Sequence, residues 1–164
     1  MGVEGWAPVN TPMRITAKGE YAAKAVLHLA LLYPEVVTIQ EIARRHRIPL
    51  KYLEHILLEL KRGGLLESRR GVRGGYTLAR EPAKITVGEV LRVVDGQFSE
   101  SSCSENEESR GYVCPESESC GLKQVWQDVQ EAVEKILFET TFDDVRKRTL
   151  GGLAHRENIG RLDA

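Results

Sequence analysis

The segment Ile48–Pro82, IPLKYLEHILLELKRGGLLESRRGVRGGYTLAREP, constrains the fold more than any other part of the chain. Pro49 suits the first turn of a helix. Leu53, Ile56, Leu57 and Leu60 then recur at spacings of three and four along one face, and Gly63-Gly64 stops the run. Lys51 and His55 fall roughly opposite that stripe, with Tyr52 and Glu54 on its flanks, so four polar or protruding side chains are left to touch a partner. Two short strand-like runs, LLES and YTLA, flank the turn RRGVRGG, which carries Arg69, Arg70 and Arg73. Glycines between β-like runs read as a hairpin.

Upstream, a helix is expected from about Thr16, with Tyr21, Ala22, Ala25, Val26, Leu29 and Leu32 on one face and Pro34 closing it. A second opens at TIQE, where Thr38 and Glu41 have capping-box spacing, runs to about His46 and carries Arg44, Arg45 and Arg47 at and beyond its end. Two helices joined by a tight turn and followed by a basic hairpin form the plan of a winged helix-turn-helix. In that plan the start of the third helix enters the major groove of DNA, and arginines of the wing enter the narrow minor groove. A helix pair alone fits many folds, and loop arginines are commonly just solvated. Charge adds to the case: Met13–Arg80 holds thirteen Lys or Arg against six Glu, a balance of +7, whereas Glu81–Ala164 balances at -7. A net charge of -1 hides that split, which suits one half for a phosphate backbone.

Beyond the hairpin, TVGE has capping-box spacing at Thr86 and Glu89 and begins a short helix through Val94. From Gly121 a longer helix places Leu122, Trp126, Val129, Val133 and Ile136 at steps of four and three, a seam that calls for a partner helix, and a homodimer supplies one. Thr141 and Asp144 cap a last short helix through about Arg148. The fold class expected is therefore mainly α with a small β-wing. Its parts are an extension at 1–12, the winged helix-turn-helix at 13–80, a connecting helix and linker at 81–102, a cysteine loop at 103–120, a dimerisation helix and C-terminal helix at 121–150, and a flexible tail at 151–164. No apolar run reaches the ~18 residues of a membrane span, and MGVEGWAPVNTP lacks the pattern of a secretory signal, so a cytoplasmic protein is expected.

The loop CSENEESRGYVCPESESC holds Cys103, Cys114 and Cys120 among five glutamates. In a reducing compartment three thiols point away from structural disulfides and toward metal or redox chemistry. Intervals of ten and five residues lack the C-x-x-C pair usual for zinc, and the histidines His28, His46, His55 and His155 are remote in sequence. From the residues alone, an iron-sulfur cluster, zinc, a thiol switch and no ligand all remain open.

Taken in order, MRITAKGEYA, the segment from Ile48 to Pro82, ITVGEVLRVVDG and the three cysteines before a long helix resemble the Rrf2 family of small bacterial winged-helix regulators, with IscR-like, NsrR-like and CymR-like branches. The likeness covers Met13 to about Leu150. Met1–Pro12 lies outside it, as an extension or because Met13 is the native start. The resemblance implies a homodimer that binds a palindromic operator. Lys51, Tyr52, Glu54 and His55 would read bases, Arg70 would reach the minor groove, and Arg69 and Arg73 would hold phosphates. It also implies an iron-sulfur cluster, with two or four irons, on Cys103, Cys114 and Cys120, sensing cluster status, redox state or nitric oxide. The first cysteine interval is longer than the family's usual gap. IscR-like members complete the site with a histidine three residues after the last cysteine, where this chain has Lys123, and a protonated ammonium has no lone pair to give. NsrR-like members use a carboxylate from the other subunit, and the matching position is Glu20, with Glu105, Glu116 and Glu118 as local alternatives. A first-turn glutamate is also explained by the helix dipole alone.

The expected function is a transcriptional regulator, a repressor in the first instance. The alternatives are a clusterless CymR-like repressor with redox-active or idle cysteines, and an iron-sulfur carrier or electron-transfer protein. No phosphate-cradling loop, C-x-x-C, or nucleophile and base at recognisable spacing argues for an enzyme, and no small-molecule substrate is implied.

Overall fold

A computed structural model describes residues 15–71, 74–96 and 121–160, with side chains to 152. Helix α1 spans Ala17–Leu32, and the Thr16 hydroxyl accepts the Gly19 backbone N–H at 2.9 Å, satisfying one of the amides that a helix start leaves unpaired. Helix α2, Ile39–His46, is capped by the Thr38 hydroxyl, which accepts the Glu41 N–H at 3.2 Å. The Glu41 carboxylate does not close the expected box but faces His28 Nε2 at 3.7 Å. Arg47 then takes φ 54°, ψ 41°, a left-handed conformation usually left to glycine, and so turns the chain sharply into α3.

Helix α3 covers Leu50–Arg62, so Pro49 immediately precedes the first turn rather than lying inside it. Its inner stripe, Leu53, Ile56, Leu57 and Leu60, is completely buried. At ~1.5–3 kcal/mol per fully buried aliphatic side chain, this stripe is a main contributor to the stability of the head. The helix closes where Gly63 N–H meets Glu59 O at 2.8 Å and Leu65 N–H meets Leu60 O at 3.0 Å, with Gly64 at positive φ.

Strands β1, Leu66–Arg69, and β2, Gly75–Leu78, form an antiparallel hairpin with Leu66 opposite Leu78 and Arg69 opposite Gly75. Val37, just before α2, adds a rung that the sequence pattern does not announce: Val37 N–H donates to Tyr76 O at 2.9 Å and Tyr76 N–H returns to Val37 O at 2.8 Å. That rung explains Gly75. A Cβ there would collide with Val37 O and lie 2.7 Å from the Val37 carbonyl carbon.

A 3-10 turn at Pro82–Lys84 leads to α4, Val87–Asp95, which has a full capping box: the Thr86 hydroxyl accepts Glu89 N–H at 3.2 Å, and Glu89 Oε2 accepts Thr86 N–H at 2.8 Å. Burial alone would raise the Glu89 carboxyl pKa, but the bonds from Thr86 and Arg80 outweigh it and hold the group below the usual range. Helix α5, Gly121–Glu139, meets α4 near its end, where Phe138 packs on Gly88 and lies 4.4 Å from the Arg92 guanidinium carbon. Helix α6 follows from Phe142. Its start is a reciprocal cap, with the Thr141 hydroxyl accepting Asp144 N–H at 3.2 Å and Asp144 Oδ2 accepting Thr141 N–H at 3.0 Å.

The expected end near Arg148 is too early: the helix continues to Gly160. Gly151-Gly152 lie inside it, since two glycines lower helix propensity without forbidding it. Phe142 is 1% exposed and joins the core beside Ile85, whose carbonyl accepts its N–H at 2.8 Å, while α6 packs on α1 and the 3-10 turn. The fold is thus mainly helical with a two-stranded wing, and none of the helices is long and apolar enough to cross a membrane among the described residues.

Gly75→Ala is expected to lower stability by about 1–3 kcal/mol through the clash with Val37, a change that a denaturant titration measures directly. Gly71, with nothing within 4 Å of its would-be Cβ, provides the comparison in which only its φ of 115° opposes alanine.

Candidate nucleic-acid interface

Burial of the α3 stripe leaves the opposite face outward. Lys51, Tyr52, Glu54 and His55 are all exposed along its first turn and a half, as the spacing requires. Tyr52, 39% exposed, is not free to swing: its ring meets Tyr21 of α1 edge-on at 5.9 Å, and the Lys24 ammonium lies 5.9 Å from the Tyr21 ring centre. Sequence periodicity gives Tyr21 to the core face, and only packing shows it bracing Tyr52 on the outer face of α3. At the other end of α3, Lys61 Nζ donates to Ser68 Oγ at 2.6 Å and ties the helix to β1.

Arg69 and Arg70 are exposed at the end of β1, where the chain turns through Gly71 and returns by a Gly74 N–H bond to Gly71 O at 2.8 Å. Arg73 lies outside the described residues. The structure therefore presents the polar start of α3 and two of the three wing arginines on the surface of one folded head. Arg44, Arg45 and Arg47 add to it. With His28, Leu31, Leu32 and Glu41 they line an open cavity of about 650 Å³ at the end of α2. Three basic residues within four positions were the sequence signal for this surface.

Next to that cavity, His46 Nε2 lies 3.3 Å from His28 Nδ1 with the rings at 87°. The pKa of His46 is lowered by burial first, and then by His28, Lys24 and Arg45.

Glu20 is exposed in the first turn of α1 and pairs with Lys24 at 2.5 Å, an i,i+4 contact. Cys103, Cys114 and Cys120, together with Glu105, Glu116 and Glu118, lie outside the described residues. Among the described residues no three His, Cys, Asp or Glu side chains are grouped to hold a metal ion. On α5, no residue is buried, and Leu122, Val125, Trp126, Val129 and Ile136 are 49–65% exposed. Val125 joins the expected seam, and Val133 is half-buried.

The family model described as "Rrf2: Iron-dependent Transcriptional regulator" matches residues 15–148. The chain belongs to the Rrf2 family of transcriptional regulators. It is 32% identical over 140 residues to the HTH-type transcriptional regulator CymR of Bacillus subtilis, covering 85% of this chain and 94% of the relative. It is 34% identical over 136 residues to the HTH-type regulator IscR of Xenorhabdus nematophila, covering 82% and 80%. Among solved structures, CymR (YrzC), described as the global cysteine regulator of B. subtilis, superposes with a TM-score of 0.69 at 29% identity over 83% of this chain and 98% of that one. The T. potens IscR structure gives 0.64 at 30% identity, covering 84% and 89%. These relatives are named as regulators, so the expectation of an Rrf2 regulator rather than an enzyme is met.

Because the pKa of His46 is depressed, its stabilising contribution is present above the ordinary histidine value near ~6.5 and is lost as pH falls from there through the lowered folded-state value. The melting temperature should accordingly drop between pH 7.5 and pH 5.5, and His46→Gln should flatten that part of the profile.

Proposed function

We propose that this chain works as a homodimeric, sequence-specific DNA-binding repressor in the cytoplasm. Lys51, Tyr52, Glu54 and His55 read base edges of a palindromic operator, Arg70 reaches the minor groove, and Arg69 and Arg73 hold phosphates. The observation that carries this reading is the division of α3. Its inner stripe is completely buried, whereas the face holding Lys51 and His55 is exposed on the same head as Arg69 and Arg70. A helix anchored from behind can enter a major groove without losing its packing. The dimer is supported by α5: a 19-residue helix with no buried residue and five half-exposed or more exposed apolar side chains needs cover, and a second copy provides the same stripe.

The regulatory half of the proposal is an iron-sulfur cluster held by Cys103, Cys114 and Cys120, with Glu20 of the partner subunit as fourth ligand. Its support is the family's description as iron-dependent, the relatives named IscR, and a soft donor set of three thiols in one segment. Such a centre supplies sensitivity to oxidants, nitric oxide or iron supply. For Glu20 to serve it, the carboxylate must leave Lys24, its partner at 2.5 Å. A clusterless reading is favoured by one observation, the TM-score of 0.69 to CymR, and leaves the three cysteines as thiol switches or idle.

Anaerobic purification with a visible spectrum and iron and sulfide assays separates the two. Charge-transfer bands and iron are expected in the wild type and are lost in Cys103→Ser, Cys114→Ser and Cys120→Ser. Colourless, iron-free wild-type protein assigns the chain to the clusterless reading. For the DNA half, a duplex selected in vitro with the wild-type protein is the probe. Arg70→Ala should weaken its binding about tenfold, and Arg69→Ala should reduce the slope of log K against log salt by about one. Unchanged binding and slope in both variants would remove the wing from the interface.

A further inference from the structure

The last turn of α4 is held by two helices of the reading head at one junction. Lys18 of α1 reaches across it, its ammonium donating to Val94 O at 2.6 Å and pairing with Glu59 Oε2 of α3 at 2.7 Å. Val94 O is one of the carbonyls that the end of α4 leaves without an intrahelical partner, and a cation there is also favoured by the helix dipole. One residue earlier in the same turn, Val93 packs on Gly63 so closely that a Cβ on the glycine would lie 2.7 Å from it. One residue later, Asp95 accepts from the Thr16 hydroxyl at 2.8 and 2.7 Å, and a Cβ on Gly19 would collide with the same carboxylate. Three successive residues of α4, Val93 to Asp95, are therefore fixed to the end of α3 or the start of α1.

The other side of α4 is joined to α5 through Gly88 and Arg92 on Phe138, and Val87 N–H donates to Thr140 O at 2.9 Å. Helix α4 thus joins the reading head to the helix whose apolar stripe needs a partner, beside α6, which packs on α1. Glu59 sits eight positions after Lys51 on the same rigid helix, ~12 Å along its axis. Because α3 is rigid, a small change in how its Glu59 end sits against α4 is carried to the reading end.

We propose that Lys18 is a positioning residue for DNA recognition: by bridging Glu59 of α3 and the terminal carbonyl of α4, it sets the angle at which each reading helix projects from the dimer. This inference rests on the reading above, in which α3 reads DNA and α5 pairs the subunits. Lys18 touches no base in this account. It fixes the distance between two α3 helices, and a palindrome is matched only when its half-site spacing equals that distance. The chemistry is specific to a long cation. Methionine fills the same space but cannot bridge a carboxylate and a carbonyl, whereas arginine can.

The test uses a duplex selected in vitro with the wild-type protein, remade as a series in which the two half-sites are moved apart or together by one and two base pairs. Wild type should bind the selected spacing best. Lys18→Met should lose about tenfold on that spacing while losing little on the displaced ones, so its profile flattens. Lys18→Arg should restore the wild-type profile, and Glu59→Gln should flatten it as well. Melting temperatures recorded alongside identify a folding defect, which lowers binding equally at every spacing. Equal loss at all spacings, or no loss, in both Lys18→Met and Glu59→Gln overturns the positioning role. If the wild type itself shows no spacing preference, the dimeric reading beneath the inference has failed instead, and the two failures are distinguishable.

Discussion

The burial of one face of α3 is the contact on which the rest of the structure depends. Leu53, Ile56, Leu57 and Leu60 lose all exposure against α1, α2 and α4, and a helix packed in that way has little freedom to rotate about its axis. The orientation of Lys51 and His55 is therefore decided from behind, by apolar contacts, rather than by any interaction of their own. The same anchoring fixes the hairpin, since Leu65 and Leu66 enter the core directly after the helix and Lys61 bonds to Ser68. Helix α3 and the hairpin form one surface because a single hydrophobic cluster supports both.

Electrostatics and shape divide the chain in the same place. The head carries the excess of basic residues, and its exposed arginines at 44, 45, 47, 69 and 70 belong to α2, the turn after it and the wing. The second half is acidic and contributes α5, whose exposed apolar stripe is unusual for a protein that acts as a single chain. A basic head joined through α4 to a helix with an exposed apolar stripe fits the proposed division of labour, in which the head meets duplex DNA and the stripe meets a second copy. In that proposal, burial of the stripe would need no specificity beyond register, whereas the head requires both charge and geometry.

Much of this was legible in the sequence because it follows from local rules. The spacing of Leu53, Ile56, Leu57 and Leu60 gave the inward face of α3. Thr86 and Glu89 gave a capping box that is fully formed, and RRGVRGG gave a hairpin turn. What was not legible depends on distant partners. The rung between Val37 and Tyr76 joins residues 39 positions apart, and no local pattern announces it. Tyr21 looked like core but braces Tyr52, because an amphipathic ring satisfies both roles and only the neighbouring helix decides between them. Lys18 carries no local signal of its bridging role, which depends on Val94 and Glu59, 76 and 41 positions away. The end of α6 was misplaced because glycine weakens a helix without ending one.

In the proposed complex, the outer face of α3 and the wing together grip duplex DNA. The most direct measurement is a titration of isotope-labelled protein with a selected duplex, followed by backbone amide chemical shifts. The largest changes are expected at Leu50–His55 and around Ser68–Gly74, with α6 little affected. Changes concentrated on α5 and α6, with the start of α3 silent, would contradict it.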